Sequence, residues 1–474
     1  MVINIKYFLI LPLSLFFALN TFAQTGIYPK SVDKKIQQSL NFENLGKPFV
    51  IQPQTTFQDN PLACLPASID LLIIALFKGD SKSIDYAYNE TNKMISSIEK
   101  VSKPSAEHLY LKSRLYLSKS ILLSLKKDFF SSVWNFYKTF SMISETIQKF
   151  PDFAPSHTFG KIFNQVLKVI EEQDLTFSFL LPKPIKINET LNNINWSEYD
   201  KPIFFSLLAF VQNNPEDSEK IKFIPKTYTE AITIAMYQSS VYTPKEVLET
   251  ISFIPDSVDI TKSHIVGWSY MVMGQYDTAK EMFERSLKNN LTPLMKRSSL
   301  MGLYYIEIIT KGGANRTDYL KRLSELPDSY NYRDLRAEKE INLEHHPSLL
   351  KARLFCDAKK YDEALNTLNT IKLNSLSDTF KLEYYYRYGR IYYLTKKFDL
   401  SMQYYLNCLN ENLSSFSYYK AQAAYDIAHI NYQKKDLSNA DTFISRSIKL
   451  SKEANRKDIE NKAKKLKKMI EGKN

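Results

Sequence analysis

Glycine is scarce in this chain: it contributes 11 of the 474 residues, well below the average usage of about 7%. The shortage argues against Gly-rich phosphate loops, β-hairpin meanders and dinucleotide-binding turns, because each needs glycine where the backbone turns tightly. No Walker loop, GxGxxG or GxSxG motif occurs either. With these glycine-dependent folds disfavoured, the sequence indicates a fold of long helices joined by short polar turns.

Cysteine and histidine are also few. The three cysteines, Cys64, Cys356 and Cys408, cannot all pair with one another. We expect buried apolar thiols, with a Cys356 to Cys408 disulfide as the alternative. The six histidines are scattered except for the adjacent His345 and His346, and neither HExxH nor CxxC is present. The sequence therefore predicts no metal site and no cofactor. No pair of carboxylates stands out from ordinary charged helix faces, so no catalytic residue is predicted.

The chain has 63 basic and 51 acidic residues, which leaves a net charge of +12. Because the two signs are mixed along most of the chain, the excess indicates a solvated surface rather than a stripe that binds nucleic acid. We therefore expect no nucleic-acid partner. Acidic partners and anionic membrane surfaces stay open.

Residues 1–23 have the pattern of a signal peptide. Lys6 lies in a short basic start, an apolar core runs from Tyr7 to Leu19, and the small Ala23 marks a cleavage edge. The core is about 13 residues, shorter than the roughly 20 that span a bilayer, and no lipoprotein cysteine follows it. We expect an exported bacterial protein, periplasmic or secreted, including a location peripheral to the cell envelope, with no transmembrane segment after signal removal.

The remainder divides into six predicted parts. Helical periodicity dominates, and no convincing strand pattern occurs. Leu181 to Trp196 contains two prolines and four asparagines, which predicts a break between two helical halves. The parts are an extended lead-in at 24–60, N-terminal helical hairpins at 61–180, an irregular insertion at 181–200, further hairpins at 201–260, repeats at 261–452 and a basic capping helix at 453–474.

The C-terminal part carries one apolar stripe. Ile459, Ala463, Leu466 and Ile470 recur at helical spacing, while most of the lysines lie off that stripe. A helix with one apolar face can cover the open end of a stack of repeats. Contact with a membrane or with nucleic acid is the alternative.

A series of small and aromatic residues recurs four times between Thr261 and Leu450, at offsets 0, 3, 7, 9, 12 and 16. Each series predicts two helices that cross at the small residue, with aromatic or apolar residues around the turn. The series are Gly267, Tyr270, Gly274, Tyr276, Ala279, Phe283; then Ala352, Phe355, Lys359, Tyr361, Ala364, Leu368; then Gly389, Tyr392, Lys396, Phe398, Ser401, Tyr405; and Ala428, Asn431, Lys435, Leu437, Ala440, Ile444.

This series resembles the tetratricopeptide repeat (TPR), a helix-turn-helix unit of about 34 residues. The resemblance implies an all-α, right-handed α-solenoid of helix-turn-helix repeats, in which each hairpin buries its apolar faces on its neighbours. The spacing between units is slightly longer than in the family. One degenerate unit is therefore expected at Leu294 to Asn342, with its first helix at Met301 to Gly313.

In this family, partner-binding residues are the outward residues of each first helix, which line a concave groove. The resemblance places two arginines among five rings in the last two units, which could bind an acidic or aromatic peptide. The alternative is a solvated helix face whose tyrosines pack on the next hairpin. The predicted partner-binding residues are Arg353, Tyr386, Arg387, Arg390, Tyr393, Tyr425, His429 and Tyr432.

The resemblance implies an exported, non-catalytic TPR scaffold that binds another protein or peptide, acidic ones included, along its concave face. It needs no cofactor. A glycan-binding surface protein of a polysaccharide uptake system is the first alternative, although the lipoprotein cysteine is missing. An α-helical hydrolase is the second, because helical hairpins also build α/α-barrel glycosidases.

Overall fold

The computed structural model describes residues 61–64, 68, 71–72, 75, 81–126, 128–173, 183–188, 244–252, 254, 259, 261–289, 295–327, 332–411 and 418–472. The predicted signal peptide at 1–23 and lead-in at 24–60 lie outside these residues. So do most of the predicted insertion and the hairpins predicted at 201–243.

The described residues form helices and no strand. Two short 3-10 helices occur, Pro61–Cys64 and Leu373–Ser375. The α-helices of this part of the chain are α1 (Ser81–Glu99), α2 (Ala106–Leu125), α3 (Phe129–Lys149), α4 (Ala154–Gln173), α5 (Pro244–Ile251), α6 (Lys262–Val272), α7 (Tyr276–Lys288), α8 (Lys296–Lys311), α9 (Arg316–Glu325), α10 (Tyr332–Asn342), α11 (Pro347–Asp357), α12 (Tyr361–Asn369), α13 (Asp378–Leu394), α14 (Phe398–Asn410), α15 (Tyr418–Gln433), α16 (Leu437–Glu453) and α17 (Lys457–Ile470).

The four predicted repeats are helical hairpins: α6 pairs with α7, α11 with α12, α13 with α14, and α15 with α16. The first helices also contact one another in order, α11 against α13 and α13 against α15. Each hairpin therefore buries its faces on the next one. The all-α solenoid of helix-turn-helix repeats predicted from the sequence is confirmed.

The segment predicted to be one degenerate hairpin contains three helices instead. α8 ends where Gly312 takes a left-handed conformation, with φ 79°. α9 follows, and α8 packs against both α9 and α10. The expectation of a two-helix unit was therefore wrong, and α10 brings an extra helix beside the first helix of the next repeat.

The turn at offset 7 has one geometry in all four repeats. Gly274, Lys359, Lys396 and Lys435 have φ of 84°, 60°, 58° and 62°, and Asn455 between α16 and α17 has φ of 51°. After each of them, the next N–H donates to the carbonyl five residues earlier, at 2.7 to 2.9 Å. This is the Schellman pattern of helix C-termini. Lysine therefore occupies a position that favours glycine in three of the four repeats.

Glycines mark the closest helix crossings. A Cβ at Gly267 or at Gly302 would lie within 3.0 Å of the ring of Phe283. The buried side chain of Phe283 therefore packs between α6 of its own hairpin and α8 of the following segment. The small residue at offset 0 and the ring at offset 16 thus form one packing unit.

All three cysteines are buried, and Cys356 and Cys408 are free thiols. The Cys356 to Cys408 disulfide considered from the sequence does not form, because the two thiols belong to separate core clusters.

α2 and α17 lie in the N-terminal and C-terminal parts of the described chain and differ in their packing. α2 is buried on nearly every side by α1, α3 and the 3-10 helix at Pro61–Cys64. At the other end, Ile459, Ala463 and Leu466 of α17 are buried against α15 and α16, which is the packing expected of a capping helix. α17 also contacts α4. No helix among the described residues is both long enough and apolar enough to cross a bilayer.

Candidate functional site

The eight predicted partner-binding residues lie on α11, α13 and α15, the first helices of the last three repeats. Because these helices contact one another in order, the structure brings the predicted residues onto one continuous face. Their individual environments differ, and they fall into three groups: paired arginines, one core ring and a patch of half-buried rings.

Arg353 is held by a carboxylate from the extra helix α10. Its Nη1 lies 3.1 Å from Oε2 of Glu340, and Nε of Arg336 lies 2.9 Å from Oε1 of the same carboxylate. The hydroxyl of Tyr305 donates to Glu340 as well. Burial alone would raise the pKa of Glu340, but the guanidinium groups of Arg353 and Arg336 hold it well below its usual range.

Arg387 is held by a carboxylate on its own helix. Its Nε and Nη2 lie 3.0 and 2.6 Å from Oε1 of Glu383, one helical turn earlier. The two side chains are only 11% and 12% exposed. Burial would raise the pKa of Glu383, yet it lies below the usual range because Arg387 stabilises the charged form. The guanidinium of Arg387 also lies 5.7 Å from the ring centre of Tyr419 on α15.

Arg390 faces two carboxylates. Its positive charge acts on buried Asp426 of α15, which accepts a hydrogen bond from Nε2 of Gln422 at 2.7 Å. Burial raises the pKa of Asp426, and Arg390 opposes that rise. Tyr386, and after it Asp357 at the end of α11, raise the pKa of Arg390 against the effect of burial. All three predicted arginines therefore have carboxylates of this chain beside them.

The charged side chains of this face are of both signs. The basic members are Arg336, Arg353, Arg387 and Arg390, and the acidic members are Glu340, Asp357, Glu383 and Asp426. The arginines therefore interact with acidic side chains of the protein itself. We call these eight residues the charge ladder.

Tyr386 is a core residue, with 1% of its surface exposed. Its ring centre lies 5.9 Å from that of Tyr405, 6.1 Å from Tyr418 and 5.3 Å from Tyr419. The prediction that Tyr386 faces outward was wrong, because rings from α14 and α15 cover it. For Tyr386, the alternative given in the sequence analysis, a tyrosine that packs on the next hairpin, is what the structure shows.

The remaining four predicted residues form a patch of half-buried rings, here called the aromatic patch: Tyr393, Tyr425, His429 and Tyr432. The hydroxyl of Tyr393 on α13 lies 2.8 Å from Nδ1 of His429 on α15. Tyr425 stacks on the same imidazole, with ring centres 6.3 Å apart. Tyr425 and Tyr432 also pack against the cluster that includes α17. The aromatic patch therefore joins two repeats and the C-terminal helix.

Sequence reasoning missed the two carboxylates that pair with Arg353 and Arg387. Glu383 had a readable signal, since it lies four residues before Arg387 on one helix face. Glu340 had none, because it belongs to α10, which the degenerate repeat concealed.

The described residues offer little for catalysis at this face. They contain no cluster of three or more His, Cys, Asp or Glu residues that could hold a metal ion. Burial raises the pKa of the Cys356 thiol to about 11, so the reactive thiolate is rare at neutral pH.

Comparison with known families matches the hairpin of α13 and α14, of which α13 carries four of the eight predicted residues. Residues 382–414 match the tetratricopeptide repeat. The matched segment covers most of α13 and all of α14, and with the all-helical fold it supports a TPR-type protein. No match to the chain was found among curated proteins.

Proposed function

We propose that this protein is an exported, non-catalytic TPR-type scaffold that binds another protein or peptide along the face formed by α11, α13 and α15. TPR repeats generally mediate protein binding, which supports the class of function. The observation that carries the proposal for this chain is the aromatic patch, where half-buried rings from two adjacent first helices meet at one surface. Tyrosine is enriched among residues that dominate binding energy at interfaces.

The charge ladder bears on the chemistry of the partner. An acidic peptide would have to separate Arg387 from Glu383, leaving a nearly buried carboxylate without its counter-ion, and breaking such a pair is strongly unfavourable. An acidic partner is therefore disfavoured at the ladder, contrary to the expectation from the arginines alone. The proposed partner contacts the aromatic patch with apolar or uncharged polar groups.

A capture experiment tests this proposal. The full mature chain is immobilised, partners are captured from the native cell envelope after cross-linking, and mass spectrometry identifies them. The His429→Ala/Tyr432→Ala variant should lose the specific partners, and the Tyr86→Ala variant, on exposed α1, should keep them. Added poly-glutamate should not compete. Retention of every partner by the His429→Ala/Tyr432→Ala variant, with its fold intact by circular dichroism, would contradict binding at this face.

Export is supported by the pattern of residues 1–23, which lie outside the described part of the chain. If residues 1–23 are a cleaved signal, the mature protein isolated from its host should begin at Gln24. N-terminal sequencing and cell fractionation measure this directly. A mature chain that retains Met1 and stays with the cytoplasmic fraction would contradict export.

A further inference from the structure

A row of aromatic side chains faces outward on α3, in the N-terminal part of the described chain. Phe130, Trp134 and Tyr137 follow one another at spacings of four and three residues, which places them on one side of the helix. Phe130 and Trp134 are 85% and 63% exposed, more than any other large apolar side chain of the described residues. A helix that packs on its neighbours ordinarily turns polar residues to the solvent. We call these three residues the α3 aromatic row.

Contacts on the opposite side of α3 fix this orientation. Oγ of Ser132 donates to the carbonyl of Ser120 on α2 at 2.8 Å. The ring of Phe136 stacks on that of Phe163 of α4, with ring centres 5.1 Å apart. Because Ser132 and Trp134 are two residues apart, they lie on nearly opposite sides of the helix. A rotation of α3 that buried Trp134 would break these contacts, so the α3 aromatic row is an outward surface of the folded protein.

Lysines border the α3 aromatic row. Nζ of Lys138, one helical turn after Trp134, lies 6.0 Å from the centre of the indole ring and 5.2 Å from the ring centre of Tyr116. Lys126 and Lys127 stand in the chain between α2 and α3. A lysine side chain can lie along an apolar surface while its ammonium group stays at the boundary with water.

The helices around the row have an excess of positive charge. Residues 81–149, from the start of α1 to the end of α3, contain eleven basic and six acidic residues. Most of the acidic side chains already have a lysine partner in this region, at 2.6 to 3.1 Å: Asp85 with Lys126, Glu90 with Lys93, Glu99 with Lys112 and Glu145 with Lys149. The net positive charge of the region therefore favours an anionic partner.

Exposed rings bordered by lysines are typical of one class of partner. The α3 aromatic row spans only about 10 Å along the helix, and lysine is depleted in the cores of protein interfaces. Tryptophan and phenylalanine beside lysine are instead typical of surfaces that bind a bilayer, because the rings enter the headgroup region and the ammonium groups attract anionic lipids. We propose that the outward face of α3 docks the protein on a phospholipid bilayer that contains anionic lipid, with Phe130 and Trp134 inserted into the headgroup region.

Flotation with lipid vesicles tests this docking surface. The mature chain, beginning at Gln24, should bind vesicles of phosphatidylcholine and phosphatidylglycerol, and should bind pure phosphatidylcholine at least about tenfold more weakly. Phe130→Ser/Trp134→Ser should weaken binding to the anionic vesicles at least about tenfold, because it removes both inserted rings. Leu343→Ser, at a residue that is 55% exposed between α10 and α11, is the matched control and should bind like the parent protein.

Two further variants separate this surface from the rest of the protein. Trp134→Phe keeps an apolar ring but removes one of the three tryptophans. Brominated acyl chains should quench the tryptophan fluorescence of the parent protein, and this quenching should largely disappear in Trp134→Phe although the variant still floats. The His429→Ala/Tyr432→Ala variant should bind vesicles normally, since docking at α3 is independent of partner binding at α11, α13 and α15.

The proposal is overturned if the parent protein does not float with the anionic vesicles, or if it binds pure phosphatidylcholine equally well. Full binding by Phe130→Ser/Trp134→Ser, with its fold intact by circular dichroism, would also overturn it. Sedimentation velocity without lipid tests a second copy of the chain as the occupant of this face. A parent dimer that the double substitution dissociates, together with a lack of vesicle binding, would replace lipid docking by contact between two copies.

Discussion

Gly389 of α13 lies directly against the ring of Tyr405 of α14. A Cβ at position 389 would come closer than 3.0 Å to two atoms of that ring, and Tyr405 has no exposed surface. Close by, Oγ of Ser401 donates to the carbonyl of Gly389 at 2.8 Å. The crossing of the two helices therefore depends on the absence of a side chain at one position and on a full ring at the other.

Gly389→Ala should destabilise the protein, because the buried ring of Tyr405 has no free space into which it could move. Overpacking of this kind costs about 1 to 3 kcal/mol, of which the better helix propensity of alanine returns up to about 1 kcal/mol. Urea denaturation followed by circular dichroism measures the change. Tyr405→Leu in the Gly389→Ala background should recover part of the loss. Equal stability of Gly389→Ala and the parent protein would show that the crossing is not tight.

The pair Glu383 and Arg387 predicts a large asymmetry between single and double substitutions. Arg387→Ala leaves a nearly buried carboxylate unpaired and should cost about 3 to 5 kcal/mol of unfolding free energy. Glu383→Met/Arg387→Met removes both charges and should cost clearly less. As a control, Lys93→Ala breaks an exposed pair with Glu90 and should leave the stability nearly unchanged. A double variant less stable than Arg387→Ala would contradict this account.

Glu340 predicts a pH dependence of stability. Its folded pKa lies below the ordinary carboxyl value of 4.5, because Arg353 and Arg336 outweigh the effect of burial. The unfolded chain therefore binds the proton more readily than the folded protein. The stability from Glu340 is complete above about pH 4.5 and is lost as the pH falls below that value toward the depressed pKa.

The measurement is the unfolding free energy of the parent protein and of Glu340→Gln between neutral and acidic pH. The difference between them should shrink as the pH falls, because protonation removes the same charge that the substitution removes. Glu90→Gln, at the exposed pair with Lys93, is the control and should follow the parent protein. A difference that stays constant down to the acid limit would mean that folding does not lower the pKa of Glu340.

The helical fold was predictable because the residues that pack together within a repeat are close in the sequence. The glycine at offset 0 and the ring at offset 16 lie in one hairpin, so Gly389 and Tyr405 could be paired by spacing alone. The extra helix of the degenerate segment, α10, could not be found this way, since neither α9 nor α10 carries the series of small and aromatic residues. Periodicity predicts which residues share a helix face, but not how many helices fill a stretch without the motif.

The candidate site was less predictable, because burial depends on neighbouring helices. Tyr386 lies on the expected helix, yet rings from α14 and α15 cover it. From the sequence of its own repeat, Arg353 was expected to be an unpaired cation, but it pairs with Glu340 of α10. Only the Glu383 and Arg387 pair was visible in the local sequence. The repeat motif predicts which positions line the groove. Which of those side chains are exposed or paired with opposite charges depends on contacts between repeats.

The left-handed turn at offset 7 leads to the last prediction. At Gly274 an added Cβ would be in ordinary contact with Phe355, 3.6 Å away, so the cost of Gly274→Ala is conformational and should be about 1 kcal/mol. Lys396→Gly makes the reverse change at the equivalent turn, with φ of 58°. It should be neutral or stabilising by up to about 1 kcal/mol, because relief of the left-handed strain offsets the greater entropy of unfolded glycine.

Gly313→Ala is the control, since Gly313 has open space around it and no left-handed φ. It should not destabilise, because alanine restricts the unfolded chain. Urea denaturation of the three variants compares them on one scale. If Gly274→Ala and Gly313→Ala had the same effect, the left-handed turn would carry no energetic cost. The three lysines at offset 7 would then be ordinary turn residues rather than sites where the repeat tolerates strain.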